Sequence, residues 1–356
     1  MNLSIISFTQ NGISLSKNIA NVMEQIKCSL YTKCSTDYIS DNNNENIIKY
    51  VEQSIYEWTG KQFEEKNAIL FIGATGIAVR AIAPHINDKL TDSPVLVMDE
   101  MGKYIIPVLS GHVGGANEIA LNIATLTGAK PVITTATDIN ELFAIDIFAK
   151  KNQLFITNKD GIAKVSSKIL YEKSISISIE NDHLDSDDYV PSFINIIDYP
   201  PQEKTDVVIT SEDNKFDTSL LLKPMEYVIG FGCKKGKEYY KIDQYINESL
   251  EQAGISLNSI SGISSIDVKK DEPGLIKWST KTRIPFTTYS AEELESVGGT
   301  FNSSEFVKAN VGVDNVCERA ALKLCGADGK LIYEKHAKDG MTIAIAKKTW
   351  RVKFDE

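Results

Sequence analysis

The sequence has only four histidines and five cysteines in 356 residues, and both scarcities narrow the chemistry. His85, His112, His183 and His336 lie far apart and form no paired ligand motif, so a zinc site held by the protein is not expected. Cys28, Cys34, Cys233, Cys317 and Cys325 are odd in number and include no C-x-x-C pair, which fits reduced thiols better than a disulfide framework. Basic residues are outnumbered, 38 Lys and Arg against 48 Asp and Glu, and the net charge of -10 excludes a broad surface for nucleic acid. No apolar run reaches the length of a membrane span, and the opening MNLSIISFTQNG has neither the basic nor the apolar region of a signal peptide. A cytoplasmic protein with no membrane partner is expected. A G-K-[ST] loop is also missing, and no glycine cluster has the G-x-G-x-x-G spacing with a ribose-binding acid.

What is present is a folded composition, 42% hydrophobic and 24% charged. A single core stops growing at about 250–300 residues, so a chain of this length divides. Apolar runs alternate with helical patterns from the start: LSIISF, SLSKNIANVMEQIK, the polar DNNNEN, the helix-like NIIKYVEQSIYEWTG, then NAILFIG, PVLVMD, YIIPVLS, GGANEIALNIATLTG and KPVITTATD. That rhythm predicts an α/β fold with an N-terminal parallel-sheet domain over 1–138. Residues 139–223 read as a small middle α/β domain and linker, with helices in INELFAIDIFAKKN and IAKVSSKILYEK and short strands after them. A C-terminal α/β domain over 224–356 opens on EYVIGFG and closes on the strands KLIYEK and TIAIAKK, with a helix expected at SSEFVKANVG.

Three segments place glycine where a strand is expected to meet a helix: GATGIAVR (73–80), SGHVGGAN (110–117) and GFGCKKG (230–236). Such turns present main-chain N–H groups at the positive end of a helix and suit phosphates or carboxylates. Arg80 and His85 accompany the first, Arg80 being expected near a helix start. Ser110, His112 and Asn117 belong to the second, preceded by Asp99 and Glu100.

In order and spacing, GATGIAVRAIAP (73–84), DKLTDSPVLVMDE (88–100), LSGHVGGANEIA (109–120) and PVITTATD (131–138) resemble the N-terminal domain of the cobalt-precorrin-5A hydrolase family, CbiG. GFGCKKG (230–236), IDVKKDEPGL (266–275), YSAEELESV (289–297) and GMTIAIAK (340–347) resemble its C-terminal domain. The resemblance implies a hydrolase of anaerobic cobalamin biosynthesis that opens the δ-lactone of cobalt-precorrin-5A and releases acetaldehyde, leaving cobalt-precorrin-5B. It implies no cofactor, since the substrate carries the cobalt, and a tetrapyrrole as the small-molecule partner. Other cobalamin-pathway enzymes and a second copy of the chain are further candidate partners. The residues alone also admit a non-catalytic corrinoid carrier of the same pathway.

Against that chemistry, His112 is the candidate general base, because it titrates near neutrality inside a glycine turn. Asp99 and Glu100 are candidates to orient it or manage the proton, with a solvated hairpin turn as the plainer alternative. The substrate's many carboxylates would meet the glycine turns at Gly73, Gly76, Gly111, Gly114, Gly115, Gly232 and Gly236, together with Arg80, Lys234 and Lys235. Ser110 and Asn117 would donate to an oxyanion or cap the following helix, and Thr135 would line the same cleft. Asp138 with Glu141, and Ser290 with Glu293, read first as helix caps. Asp271 and Glu272, before Pro273, suit a helix start.

Overall fold

The computed structural model describes residues 2–23, 26–34, 47–88, 90–135, 143–172, 174–184, 189–299, 301 and 315–354. They fall into two compact units, 1–142 and 143–356.

In the first unit the central strands are apolar throughout because helices cover both faces. β1 (Leu3–Ser7), β4 (Ala68–Ile72) and β5 (Val95–Met98) are buried along their whole length, as parallel strands between two helical layers must be. With β2 (Cys28–Thr32), β3 (Ile48–Tyr50), β6 (Tyr104–Leu109) and β7 (Lys130–Pro131) they form one sheet, ordered β3-β2-β1-β4-β5-β6-β7. Helices α1 (Gln10–Val22) and α4 (Ala116–Thr127) bury Ile13, Ile19, Ile119 and Ile123 on one face. On the other, α2 (Ile55–Glu64) and α3 (Thr75–Ile82) bury Trp58, Phe63, Ala78 and Ala81. Each large apolar side chain so enclosed contributes about 1.5–3 kcal/mol.

The direction of each strand decides where its loop lies. β1 to β5 are mutually parallel. From β1 the chain goes out to β2 and β3, then returns to β4 on the other side, which creates a switch point between the C-terminal ends of β1 and β4. β6 is antiparallel to β5, with Val95 opposite Leu109 and Met98 opposite Ile105. The turn after β6 therefore lies at the other end of the sheet from the turns after β1, β4 and β5.

One expected helix is partly a strand. Residues 48–50 pair with β2 as the sheet's edge, and α2 begins only after Ser54, whose hydroxyl accepts from the Glu57 amide while the Glu57 carboxylate accepts from the Ser54 amide. That Ser-x-x-Glu box was visible in the sequence and marks the boundary.

The second unit holds two sheets. β8 (Leu154–Ile156), β9 (Ile175–Ile179), β10 (Ile194–Ile197), β11 (Thr205–Ile209) and β12 (Thr218–Pro224) are ordered β10-β9-β11-β12-β8, with β8 alone antiparallel to its neighbour. Helices α5 (Ile145–Lys151) and α6 (Lys159–Glu172) belong to this region. Residues 136–142, including Asp138 and Glu141, lie outside the described residues, as does the SSEFVKANVG segment.

The last sheet contains β13 (Tyr227–Cys233), β14 (Ile260–Ile266), β15 (Phe286–Tyr289), β16 (Lys330–Lys338) and β17 (Met341–Lys347), ordered β15-β14-β13-β17-β16. α7 (Tyr239–Ala253) and α8 (Pro273–Thr282) pack Ile242, Ile246, Leu275 and Trp278 onto Ile229, Phe231 and Ile343. A short α9 (Ala291–Glu295) starts with the expected Ser290 and Glu293 box. α10 (Val316–Cys325) covers β13 so closely that a Cβ on Gly230 would come within 1.8 Å of the Cys317 carbonyl oxygen. Among the described residues, no helix is long and apolar enough to cross a membrane.

Candidate functional site

At the switch point of the first sheet, Gly73 follows β4 and its N–H donates to the Met98 carbonyl over 2.9 Å. Ala74, Thr75 and Gly76 are exposed. Among the described residues the amides of Thr75 and Gly76 make no hydrogen bond, so the mouth of α3 is open. Arg80 sits in the last turn of α3, not the first, yet its Nη1 reaches back to donate to the Gly76 carbonyl at 3.3 Å. His85 is a packing residue: Nε2 lies 3.0 Å from the Tyr56 carbonyl and the ring lies against Phe63.

Asp99 belongs to the β5–β6 hairpin. Its carboxylate accepts from the amides of Met101, Lys103 and Tyr104 at 2.9, 3.0 and 2.7 Å. Glu100 accepts from the Thr9 hydroxyl at 2.6 Å, and Thr9 in turn caps α1 by accepting from Gly12. The register places both acids at the opposite end of β5 from the turn that carries His112. About five strand residues at roughly 3.3 Å each separate them from it. Neither acid can orient His112, and that expectation is overturned by the antiparallel sense of β6.

The turn over 110–117 closes on itself. The amides of Gly115, Ala116 and Asn117 donate to the carbonyls of His112, Ser110 and Gly111 at 2.9, 3.1 and 3.0 Å. A Cβ on Gly114 would come within 2.4 Å of that of Ser110, so the glycine is needed for the turn to close. Ser110 itself is held at φ 56, a left-handed conformation uncommon outside glycine and one that concentrates at functional turns. The α4 N-cap is Gly115, so neither Ser110 nor Asn117 is the cap. The Ser110 hydroxyl donates to the Asp92 carbonyl at 3.1 Å, and Asn117 Nδ2 donates to Thr135 Oγ1 at 3.3 Å. Ser110, Asn117, Thr135 and His112 thus share one end of the sheet. His112, half-buried, is the only titratable side chain in this turn.

Sequence reasoning missed Asp92, a buried acid in the same neighbourhood. Its carboxylate accepts from the amides of Asn87 and Asp88, fixing the loop whose carbonyl holds Ser110. An aspartate four residues after Asp88 and just before Ser-Pro was the available signal.

The third glycine segment is not a strand-to-helix turn. Gly230 and Gly232 lie inside β13, and only Gly236 belongs to the loop before α7. The expected anion nest at Gly236 is filled from within: Glu272 Oε1 accepts from the amides of Gly236 and Lys237 at 2.7 and 3.1 Å, and Oε2 pairs with Lys269 Nζ at 3.3 Å. Glu272 does stand at the start of α8 before Pro273, as expected, but its side chain serves another loop.

Beside that loop, at the C-terminal ends of β13 and β14, opens a cleft of about 450 Å³. Gly232, Cys233, Ile266, Val268, Val316 and Met341 supply its apolar lining, and Lys234, Lys269 and Lys338 stand around it. Lys269 is paired with Glu272, and Lys338 with Glu248 at 2.7 Å. Lys234 and Lys235 are exposed and make no ion pair among the described residues. Burial pushes the Cys233 thiol up to about 11, so it is no nucleophile at neutral pH.

The fold and these features define an α/β protein of two units, the first with a histidine-bearing turn at one end of its sheet, the second with an apolar-walled cleft at strand ends beside lysines that make no ion pair among the described residues. Residues 57–138 match the family described as cobalamin synthesis G N-terminal, and residues 227–346 match cobalamin synthesis G C-terminus. A cobalt-precorrin-5A hydrolase of Salmonella typhimurium is 31% identical, covering 96% of this chain and 97% of that protein. One of Priestia megaterium is 29% identical, covering 96% and 94%. The chain belongs to the cobalamin synthesis G family.

Proposed function

We propose that this chain is a cytoplasmic cobalt-precorrin-5A hydrolase, opening the substrate's δ-lactone and releasing acetaldehyde to give cobalt-precorrin-5B. The observation that carries the reading is identity along nearly the whole of hydrolases from two bacteria, with both family segments in order. The chemistry needs a base to take a proton from the attacking water and donors for the oxyanion that forms on the lactone carbonyl. When the tetrahedral centre collapses, the ring oxygen leaves as an alkoxide. That alkoxide closes to the carbonyl of acetaldehyde, its carbon–carbon bond breaks, and the electron pair passes to the conjugated macrocycle, which then takes a proton.

His112 is assigned the base, in a turn held rigid by its own main chain. With Asp99 and Glu100 at the far end of the strands, no carboxylate role in the proton transfer is assigned to them. Ser110, Asn117 and Thr135 remain the polar groups around that turn. The cleft at β13 and β14 is assigned to binding: its walls suit a macrocycle face, Lys234 suits a carboxylate, and its lining has no histidine. A net charge of -10 makes such local cations necessary.

The test is acetaldehyde formation from cobalt-precorrin-5A by the purified chain, followed with a coupled alcohol dehydrogenase. Tight binding of the substrate with no acetaldehyde above blank would sink the hydrolase and leave a carrier.

A further inference from the structure

We propose that Glu272 is a positioning residue for substrate binding, a built-in carboxylate that locks the 234–237 loop and aims the Lys234 ammonium into the cleft. The inference rests on the assignment of that cleft to the substrate.

Glu272 is only 5% exposed; its Oε1 is taken by the amides of Gly236 and Lys237 and its Oε2 by the cleft-lining Lys269. A substrate carboxylate cannot use the amides of Gly236 and Lys237 while Glu272 fills them, so the loop's cationic contribution to an anion is its lysine side chains. The loop is joined to the β16–β17 turn at three further points. Lys237 Nζ donates to the Asp339 carbonyl at 2.6 Å, and the Lys234 amide donates to the Gly340 carbonyl at 2.9 Å. The Lys234 stem lies across Gly340, where a Cβ would come within 2.9 Å of Lys234 Cδ. Lys234, Asp339 and Gly340 all line the cleft. The order of support therefore runs from Glu272 to the amides of 236 and 237, through Lys237 to the β16–β17 turn, and from that turn back to Lys234. A long lysine side chain held along its stem loses less freedom on binding than a free one, which is how a residue out of reach of the ligand raises affinity.

The experiment uses the full chain and three variants: Glu272→Ala, which removes the acceptor; Glu272→Gln, which keeps one; and Gly340→Ala, which displaces the Lys234 stem and leaves Glu272 intact. Substrate affinity is read as KM for acetaldehyde release and as Kd from the visible absorbance of cobalt-precorrin-5A. Hydrogen exchange at the amides of 236 and 237 reads the lock itself. Glu272→Ala is expected to lose that amide protection and to raise KM and Kd roughly tenfold, with kcat little changed. Glu272→Gln should restore most of both, and Gly340→Ala should raise KM and Kd with the amides still protected. Unchanged exchange in Glu272→Ala overturns the proposal, and so does lost protection with wild-type Kd. If the wild-type chain binds but forms no acetaldehyde, the hydrolase reading fails, while the Kd and exchange arms still decide the role of Glu272.

Discussion

The turn over 110–117 and the loop over 234–237 look alike in sequence and are held in opposite ways. The first is satisfied by its own carbonyls, which receive the amides of Gly115, Ala116 and Asn117. The second is satisfied by a carboxylate from the start of another helix, Glu272. Among the described residues, the amides of Thr75 and Gly76 at the mouth of α3 make no hydrogen bond. A glycine cluster therefore announces that the backbone bends sharply, but what sits in the bend is decided by residues far away in sequence. Where a loop fills its own N–H groups, function passes to the side chains it displays: His112 in one case, Lys234 in the other.

The largest effect that sharpens this contrast is on catalysis. His112→Ala is expected to lower kcat by roughly 10²–10⁴-fold, with the main-chain hydrogen bonds of Gly115, Ala116 and Asn117 still closing the turn. Full turnover in that variant would remove His112 from the chemistry. Next in size are two glycines of one motif. Gly230→Ala forces a methyl against the Cys317 carbonyl oxygen under α10 and should lower stability by about 3 kcal/mol in denaturant titration. Gly236→Ala, with open space around it and φ at 76, should lower it by only about 1 kcal/mol. Equal losses would mean that packing under α10 is not what fixes Gly230. Of the same size is Asp99→Asn, which weakens the β5–β6 turn by about 1 kcal/mol. Its kcat should match wild type, and a collapse of kcat would reinstate the acid as part of the reaction.

The α/β architecture was legible because period and burial agree: AILFI and VLVM are continuous apolar runs and became the buried central strands. The caps at Ser290 with Glu293 and at Gly128 could be read from adjacent residues alone. Strand β3 could not, since its three residues owe their conformation to pairing with β2. The sequence reading grouped Ser110, His112, Asn117 and Thr135, and the structure places them at one end of the sheet. It failed where the answer depends on strand direction. The hairpin reading of PVLVMDEMGKYIIPVLS, offered as the plainer alternative for Asp99 and Glu100, is the one the antiparallel strands bear out, and it carries Asp99 and His112 to opposite ends. The filling of the Gly236 nest by Glu272, 36 residues away, leaves no local trace at all.

Loops held by carboxylates should also differ from the main-chain turn in their response to acid, and the middle sheet supplies the cleanest pair. Burial by itself would raise the Glu180 carboxyl, but the Ser211 amide and the hydroxyls of Thr210 and Ser211 donate to it and hold it below its usual value. Asp206 is likewise raised by burial and lowered by more through the Ser176 amide and hydroxyl and Lys168 Nζ, to a net depressed value. A carboxyl depressed in the folded state stabilises above its unfolded value, near 4, and that stabilisation disappears as pH falls through the folded value. Exchange protection of the Ser176 and Ser211 amides should then be full at pH 6 and decline below about pH 4. Asp206→Asn should flatten the decline at Ser176, at a loss near neutrality of on the order of 1 kcal/mol or less. Ala116 and Asn117, whose acceptors are carbonyls with no proton to gain, should keep their protection over the same range. A parallel decline at Ala116 would show that acid acts on the whole fold and that the two kinds of turn are not distinguished by what fills them.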